Sequence, residues 1–230
     1  MKKFLTLVFP ALLAFSLVAC GNTTPSSGIP TTPSASGSNE TEDTVSSDHS
    51  EGEPSADTKV LVAYFSRTGE NYGVGVIEKG NTEIIAEMIV SKTGGDLFRI
   101  ESVKPYPSGY DDCTEAAKKE KNLNARPALT ASVPDFDDYD VIYLGYPIWW
   151  SDMPMPVYTF LECYDFSGKT IIPFCTHAGS GLSGTVSNIQ ETCPGATVRD
   201  GLAITGTTAQ NDRASAEKQV SDWLEKYGEK

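Results

Sequence analysis

Three stretches of the chain carry residues with chemistry to offer, and each follows an apolar run. The first is Ser66-Arg67-Thr68-Gly69, continued after an interruption by Asn81-Thr82. It lies between a buried run and the start of an amphipathic one. The first amides of a helix have no intrahelical acceptor and its dipole favours negative charge, so hydroxyls and glycine at that junction suit an anion. The ending GK[ST] is missing, so no lysine is placed for a triphosphate and no hydroxyl for magnesium; GxGxxG is missing too. A hydroxyl-rich, weakly charged turn fits a single terminal phosphate. A purely structural turn capped by Ser and Thr has the same composition.

The second stretch is Gly145-Tyr146-Pro147-Ile148-Trp149-Trp150-Ser151-Asp152-Met153-Pro154. Two indoles in a proline-bounded loop offer a broad face to a planar heterocycle, or else staple the loop into the core. The third is Thr176-His177-Ala178-Gly179-Ser180-Gly181. Its small residues let backbone approach a ligand closely. His177 either donates to such a ligand or caps its own loop.

These loops need elements to hold them. Lys59 to Phe65, Asp140 to Tyr146 and Thr170 to Thr176 are continuous apolar runs, as in strands buried on both faces. Asp96 to Ser102 and Thr197 to Ile204 read as two further strands. Between them, Thr82 to Thr93 places Ile84, Ile85, Met88 and Ile89 on one helical face and stops at Gly94-Gly95. Gly109 to Leu123 is helix-favouring but weakly periodic. Met155 to Cys163, Leu182 to Glu191 and Asn211 to Tyr227 complete the helices. Five strands alternating with helices predict an α/β three-layer sandwich with a five-stranded parallel sheet. Ligands of such sheets bind beyond the carboxyl ends of the strands near a topological switch point, where all three loops fall.

The residues before Lys59 are different material. Lys2 and Lys3 precede an apolar run, Phe4 to Val18, that is short for a spanning helix and contains Pro10. Leu17-Val18-Ala19-Cys20 has the form of a lipoprotein cleavage box, so residues 1–20 read as a signal peptide and Cys20 as the acylated residue. Acyl chains there would hold the protein on the outer side of a bacterial membrane. Residues 21–58 are rich in Ser, Thr, Pro and Gly, with seven acids and no Lys or Arg. They are expected to be a disordered tether of about 35 Å mean span, with His49 exposed in it. Residues 59–230 form the folded domain.

The net charge of −13 divides into +2 for residues 1–20, −7 for the tether and −8 for the domain. An acidic domain argues against nucleic acid as a partner and against hugging anionic lipid. Cys113, Cys163, Cys175 and Cys193 show no CxxC and no metal-type spacing with His, and spacing assigns no disulfide among them. Buried thiols are the expectation, Cys163 and Cys175 falling near the ends of apolar elements.

With these residues in view, the sequence resembles a flavodoxin, and more specifically a flavodoxin-like lipoprotein of the bacterial envelope. The likeness rests on "LVAYFSRTG" with "GNTEIIAEM", on "YDVIYLGYPIWWSDMPMPVYTFLE", on "FSGKTIIPFCTHAGSG" and on "CPGATV", and it covers Lys59 to about Tyr227. It implies a flavodoxin-like fold that binds FMN non-covalently. It places the phosphate on Ser66, Thr68, Gly69, Asn81 and Thr82, and the isoalloxazine against Pro147, Ile148, Trp149 and Trp150. The ring edge and ribityl chain fall near Thr176, His177, Gly179 and Gly181, with Arg67 and Ala178 as further members of the cofactor-binding loops.

Two departures stand out. The stretch Glu70 to Gly80 splits the phosphate loop, leaving open whether Gly69 or Gly80, and Asn71 or Asn81, occupies the family position, with Asn81 favoured. Its Tyr72, Val74, Val76 and Ile77, spaced by Gly73 and Gly75, suit either a flap over the flavin or a tolerated surface loop. The lipoprotein signal is the second departure. The resemblance implies electron transfer with redox partner proteins; the acidic surface would steer a basic partner, and the net −8 with Asp152 beside the tryptophans would disfavour a second electron. An FMN-dependent NAD(P)H- or quinone-type oxidoreductase acting on small-molecule electron acceptors, and a flavin-binding protein without redox turnover, are the alternatives.

Overall fold

β1 (Val60–Tyr64) is buried along its whole length, and its side chains alternate between two cores. Leu61 and Ala63 join a cluster with Ile142, Leu144, Phe160 and Ile189; Val60, Val62 and Tyr64 join another with Ile85, Ile89, Val220 and Trp223. A strand that feeds apolar side chains to both faces must be covered on both, which is why the run reads as continuously hydrophobic. In the computed structural model the described residues are 58–228. The expected signal peptide with Cys20, and all of the expected tether except Thr58, lie outside them.

After β1 the chain forms β2 (Gly69–Asn71) and β3 (Gly75–Ile77), then α1 (Asn81–Thr93), β4 (Asp96–Arg99) and α2 (Tyr110–Asn122). It continues through β5 (Val141–Pro147), α3 (Met155–Glu162), β6 (Thr170–His177) and α4 (Thr185–Thr192). β7 (Thr197–Val198), β8 (Leu202–Thr205), α5 (Gly206–Asn211) and α6 (Arg213–Leu224) follow. The main sheet has the order β4-β1-β5-β6, with β7 and β8 both on the outer side of β6, and every pairing in it is parallel. The chain runs outward from β1 to β4, crosses back over β1 to β5 and proceeds the other way, so the switch point lies between β1 and β5. The apolar faces of α1, α5 and α6 pack on one side of the sheet and those of α3 and α4 on the other, giving the expected three layers.

Three elements differ from the expectation. The helix expected over Asn211 to Tyr227 is preceded by a separate α5 and itself runs as α6 from Arg213 to Leu224. The fifth strand, expected over Thr197 to Ile204, is divided into β7 and β8. Thr197 and Val198 align with Thr170 and Ile171, whereas Leu202 aligns with Phe174, so the edge carries one extra residue. The break lies opposite Pro173, whose missing N–H leaves the ladder without a donor there, and the edge chain bulges past it. The interrupting stretch is also not an irregular loop: β2 and β3 pair antiparallel, with Glu70 opposite Val76 and a turn at Tyr72–Val74 between them. Gly73 and Gly75 take positive φ of 74° and 72° to close it.

Candidate functional site

The carboxyl ends of β1, β5, β6 and β8 are level with one another: Tyr64 pairs with Gly145, Pro147 with Thr176, and His177 with Thr205. The loops that leave these ends therefore converge. Between them lies a cavity of about 550 Å³, inside the range of roughly 300–1,000 Å³ usual for cofactor and ligand sites.

At one end of the cavity α1 begins. Ile84 makes the first intrahelical bond, to the Gly80 carbonyl at 3.2 Å. The amides of Asn81 and Thr82 precede it, and the Glu83 N–H donates to Ser66 Oγ at 3.2 Å. Gly80 resolves part of the question raised by the interruption. A Cβ there would stand 2.1 Å from Ser66 Oγ and 2.7 Å from the Arg67 carbonyl, so only glycine lets the chain return against its own point of departure. The β2–β3 hairpin thus leaves the loop and rejoins it at the same place, and Ser66-Arg67-Thr68 and Gly80-Asn81-Thr82 form one turn in space. Gly69 serves elsewhere: at φ +83° it lies flat on the Ser108 backbone, whose carbonyl would be 2.7 Å from its Cβ. Asn71 and Asn81 both border the cavity. Asn71 Nδ2 donates to the Gly69 carbonyl at 3.1 Å, and Asn81 Oδ1 accepts from Gln210 Nε2 at 2.9 Å.

At the other end stands the tryptophan turn. Trp149 and Asp152 exchange backbone hydrogen bonds of 2.9 and 3.1 Å across Trp150 and Ser151. Those two residues have φ of 53° and 59°, the left-handed pair of a type I′ turn without its usual Asn-Gly. Such a backbone persists only when its surroundings hold it. Here the Trp149 ring packs edge-on to Phe65 at 5.4 Å and Tyr106 at 5.0 Å. Trp150 Nε1 donates to the Thr114 carbonyl at 3.0 Å, Lys121 Nζ donates to the Trp150 carbonyl at 2.7 Å, and Lys118 Nζ lies 4.9 Å above the indole. Trp149 is therefore both staple and wall, while Trp150, 48% exposed, is laid along α2. Asp152 does not present a bare charge to the cavity. Its Oδ1 accepts from Tyr158, Asn188 and the Met153 amide, and its Oδ2 lies 3.2 Å from Lys121 Nζ. The Tyr158 hydroxyl is held well above its ordinary pKa, by burial first and by this carboxylate second.

The third loop is organised by His177. Its Nδ1 accepts from the amides of Gly179 at 2.9 Å and Gly181 at 3.1 Å. An acceptor Nδ1 requires the unprotonated ring. Burial lowers the His177 pKa from 6.5, opposed by a hydrogen bond with the Ala203 backbone, so the imidazole is neutral at pH 7. The residue thus caps its loop while its ring still borders the cavity.

Of the residues expected to hold a cofactor, Arg67, Asn81, Pro147, Ile148, Trp149, Trp150, Thr176, His177 and Ala178 line the cavity. Ser66, Thr68, Gly69, Thr82, Gly179 and Gly181 are not among its lining residues. Thr82 Oγ1 and Thr176 Oγ1 share a buried hydrogen bond of 2.8 Å that ties α1 to β6. Arg67 is a tie rather than a free cation: Nη1 donates to the Glu70 carbonyl at 2.7 Å, and Nη2 to those of Pro107 and Ser108 at 2.9 and 2.7 Å.

Sequence reasoning missed the wall supplied by α2, where Tyr110, Cys113, Thr114 and Ala117 face the cavity. Their spacing of i, i+3, i+4 and i+7 was a signal in plain view, obscured because two of the four are small and one polar. Gly206, at the start of α5, was also missed: a Cβ there would lie 2.5 Å from Asn81 Nδ2, so glycine leaves room for the asparagine. Among the described residues no Asp or Glu lines the cavity, although residues 59–230 carry −8 overall. The four domain cysteines are unpaired. Burial raises the thiols of Cys113, Cys175 (to about 12) and Cys193 (to about 11). Cys163, expected to be buried, is exposed, because it follows the last turn of α3 and no longer points into the sheet. Among the described residues no cluster of His, Cys, Asp and Glu could hold a metal ion, and no helix is long and apolar enough to cross a membrane.

Comparison with known proteins gives three results. The sequence model of the flavodoxin family matches residues 59–227. Among solved structures, the chain is similar to a protein of Bacteroides eggerthii assigned as a flavoprotein, at 31% identity over 75% of this chain and 99% of that one, with a TM-score of 0.60. A like-assigned protein of Bacteroides uniformis is 29% identical over 73% and 98% of the two chains, with a TM-score of 0.58. A flavoprotein of Lactobacillus acidophilus in complex with FMN shares the fold at 22% identity over 68% and 99%, with a TM-score of 0.52. No curated protein matches the sequence.

Proposed function

Because the chain belongs to the flavodoxin family, we propose that the cavity at the carboxyl ends of β1, β5, β6 and β8 holds FMN and that the protein transfers electrons through it. The observation that carries this reading is the polarity of the cavity. One end is a helix N-terminus where no carboxylate lines the cavity, the first-turn Glu83 being paired with Arg99 at 3.4 Å; the other is a tryptophan-walled slot. A monophosphate joined to a planar heterocycle fits both ends. The amides of Asn81 and Thr82 and the side chain of Asn81 would take the phosphate. Thr176 and Ala178 would flank the linker, and Ile148, Trp149 and Trp150 would bound the ring. FMN supplies the one- and two-electron chemistry when bound; the chain binds it, orients it and excludes water from its face.

The setting follows from the sequence. Cys20 in its cleavage box, followed by an acidic tether, supports a lipid-anchored protein on the outer side of a bacterial membrane. The acidic domain favours a redox partner with a basic docking face. A second reading is an FMN-dependent reductase of small acceptors. It is favoured by Asp152, whose charge is compensated by Lys121, so the ring end carries no bare carboxylate to oppose a second electron. The test is the visible spectrum of the purified chain after reconstitution with FMN and desalting, followed by reductive titration. Retained flavin bands and two resolved one-electron steps support the carrier. A single two-electron step supports the reductase. Loss of the flavin on desalting overturns both.

A further inference from the structure

The cavity does not share the charge of the domain around it. Residues 59–230 carry −8, yet among the described residues Arg67 lines the cavity and no Asp or Glu does. The acid of the tryptophan turn, Asp152, faces Lys121 Nζ at 3.2 Å, and the two charges offset each other. Lys118 has no such partner. It follows the lining residue Thr114 by four positions and so continues the same face of α2. Its Nζ lies 4.9 Å from the centroid of the Trp150 ring, and among the described residues it forms no ion pair. Asp111, Asp112 and Glu115 on the same helix are exposed and none lines the cavity, while Glu120 accepts from the Tyr106 hydroxyl. Trp150 itself borders the cavity and is half-exposed to solvent.

A planar ring arriving from solvent at this mouth meets the indole, and an anionic group on that ring meets an ammonium with no carboxylate of its own. A cationic molecule meets repulsion there. We propose that Trp150 and Lys118 form an acceptor subsite beside the flavin, selective for a small planar aromatic molecule that carries an anionic group, such as a sulfonated or carboxylated quinone. The reaction it serves balances between two species: reduced flavin gives up two electrons and two protons, and the quinone takes them to become its hydroquinone. The proposal specifies the small acceptor of the reductase reading above and rests on FMN occupying the cavity.

The test uses the FMN-loaded full chain in its oxidised form, so that binding is read without turnover. Equilibrium dialysis against anthraquinone sulfonate and against the uncharged hydroxymethyl anthraquinone gives the two dissociation constants. The net charge of the domain alone favours the uncharged ring. The subsite reverses that order: the sulfonate is expected to bind about fivefold more tightly, by an advantage that shrinks as salt is raised. Lys118→Gln is expected to abolish the advantage and Lys118→Arg to keep it, both with the visible spectrum of bound FMN unchanged. Lys119→Gln makes the same change of charge one position round the helix and is expected to leave the advantage in place. Equal affinities in wild type overturn the proposal, as does an advantage that survives Lys118→Gln or is lost equally in Lys119→Gln. A chain that retains FMN but shows no preference overturns the subsite alone; one that does not retain FMN overturns the FMN reading, and the subsite falls with it.

Discussion

The cavity has two walls built on different principles. The tryptophan turn grows from the end of a central strand and is rooted in the core: Trp149 packs on Phe65 and Tyr106, and Asp152 anchors it to Tyr158, Asn188 and Lys121. The hairpin grows from a surface loop and returns to it, exposes Tyr72 and Val76, and is held by backbone carbonyls gripped by Arg67. The first wall is inseparable from the fold. The second is an addition that the fold does not require. Contacts with the core should therefore govern stability, and contacts at the hairpin should govern the ligand.

Trp149→Ala tests the first wall hardest. Removing an indole packed on two rings should cost about 3 kcal/mol in denaturant unfolding. A loss below ~1 kcal/mol would mean the turn is not rooted in the core. Gly80→Ala comes next. Its methyl would collide with the Ser66 hydroxyl and the Arg67 backbone, so about 1–3 kcal/mol should be lost. Gly75→Ala, at positive φ but with nothing within 4 Å, should lose only about 1 kcal/mol. That pair separates the turn itself from the hairpin grown out of it.

The pH dependence of the third loop is a smaller effect. His177 has its pKa lowered from 6.5 by burial. Above that value it is neutral in both folded and unfolded chains. As pH falls below it, the unfolded chain takes the proton first, so stability is lost until the folded pKa is passed. Protonation also removes the Nδ1 acceptor used by Gly179 and Gly181. Wild type should therefore lose more stability between pH 7.5 and 5 than His177→Gln, measured by urea midpoints; equal losses would remove His177 as the cause. The smallest effect is expected for Tyr72→Ala. Exposed and outside both cores, it should shift stability by less than about 0.5 kcal/mol while speeding flavin release.

The same contrast explains what the sequence made legible. Strands buried on both faces announce themselves by unbroken apolar runs, so β1, β5 and β6 and the loops at their ends were readable. The division of the last strand was not, because it follows from a proline on the neighbouring strand, Pro173, and not from anything within residues 197–204. The α2 wall was half-hidden, since Cys113 and Ala117 are too small to give a strong periodic signal. The ties of Arg67 were not legible for a related reason: Arg67 lines the cavity, but only the tertiary arrangement shows that its donors are taken by carbonyls 3 to 41 residues away. The hairpin gave its glycines and apolar residues in sequence, but its pairing and its reach to Thr207 are tertiary facts.

The central claim is that the site grips a phosphate on the α1 amides as well as a ring beside the tryptophans. Riboflavin has the ring without the phosphate. Dissociation constants of the full chain for FMN and riboflavin, measured side by side at one ionic strength, test the claim directly. The account predicts FMN bound at least about tenfold more tightly. Equal affinities would place the grip on the ring alone and contradict it.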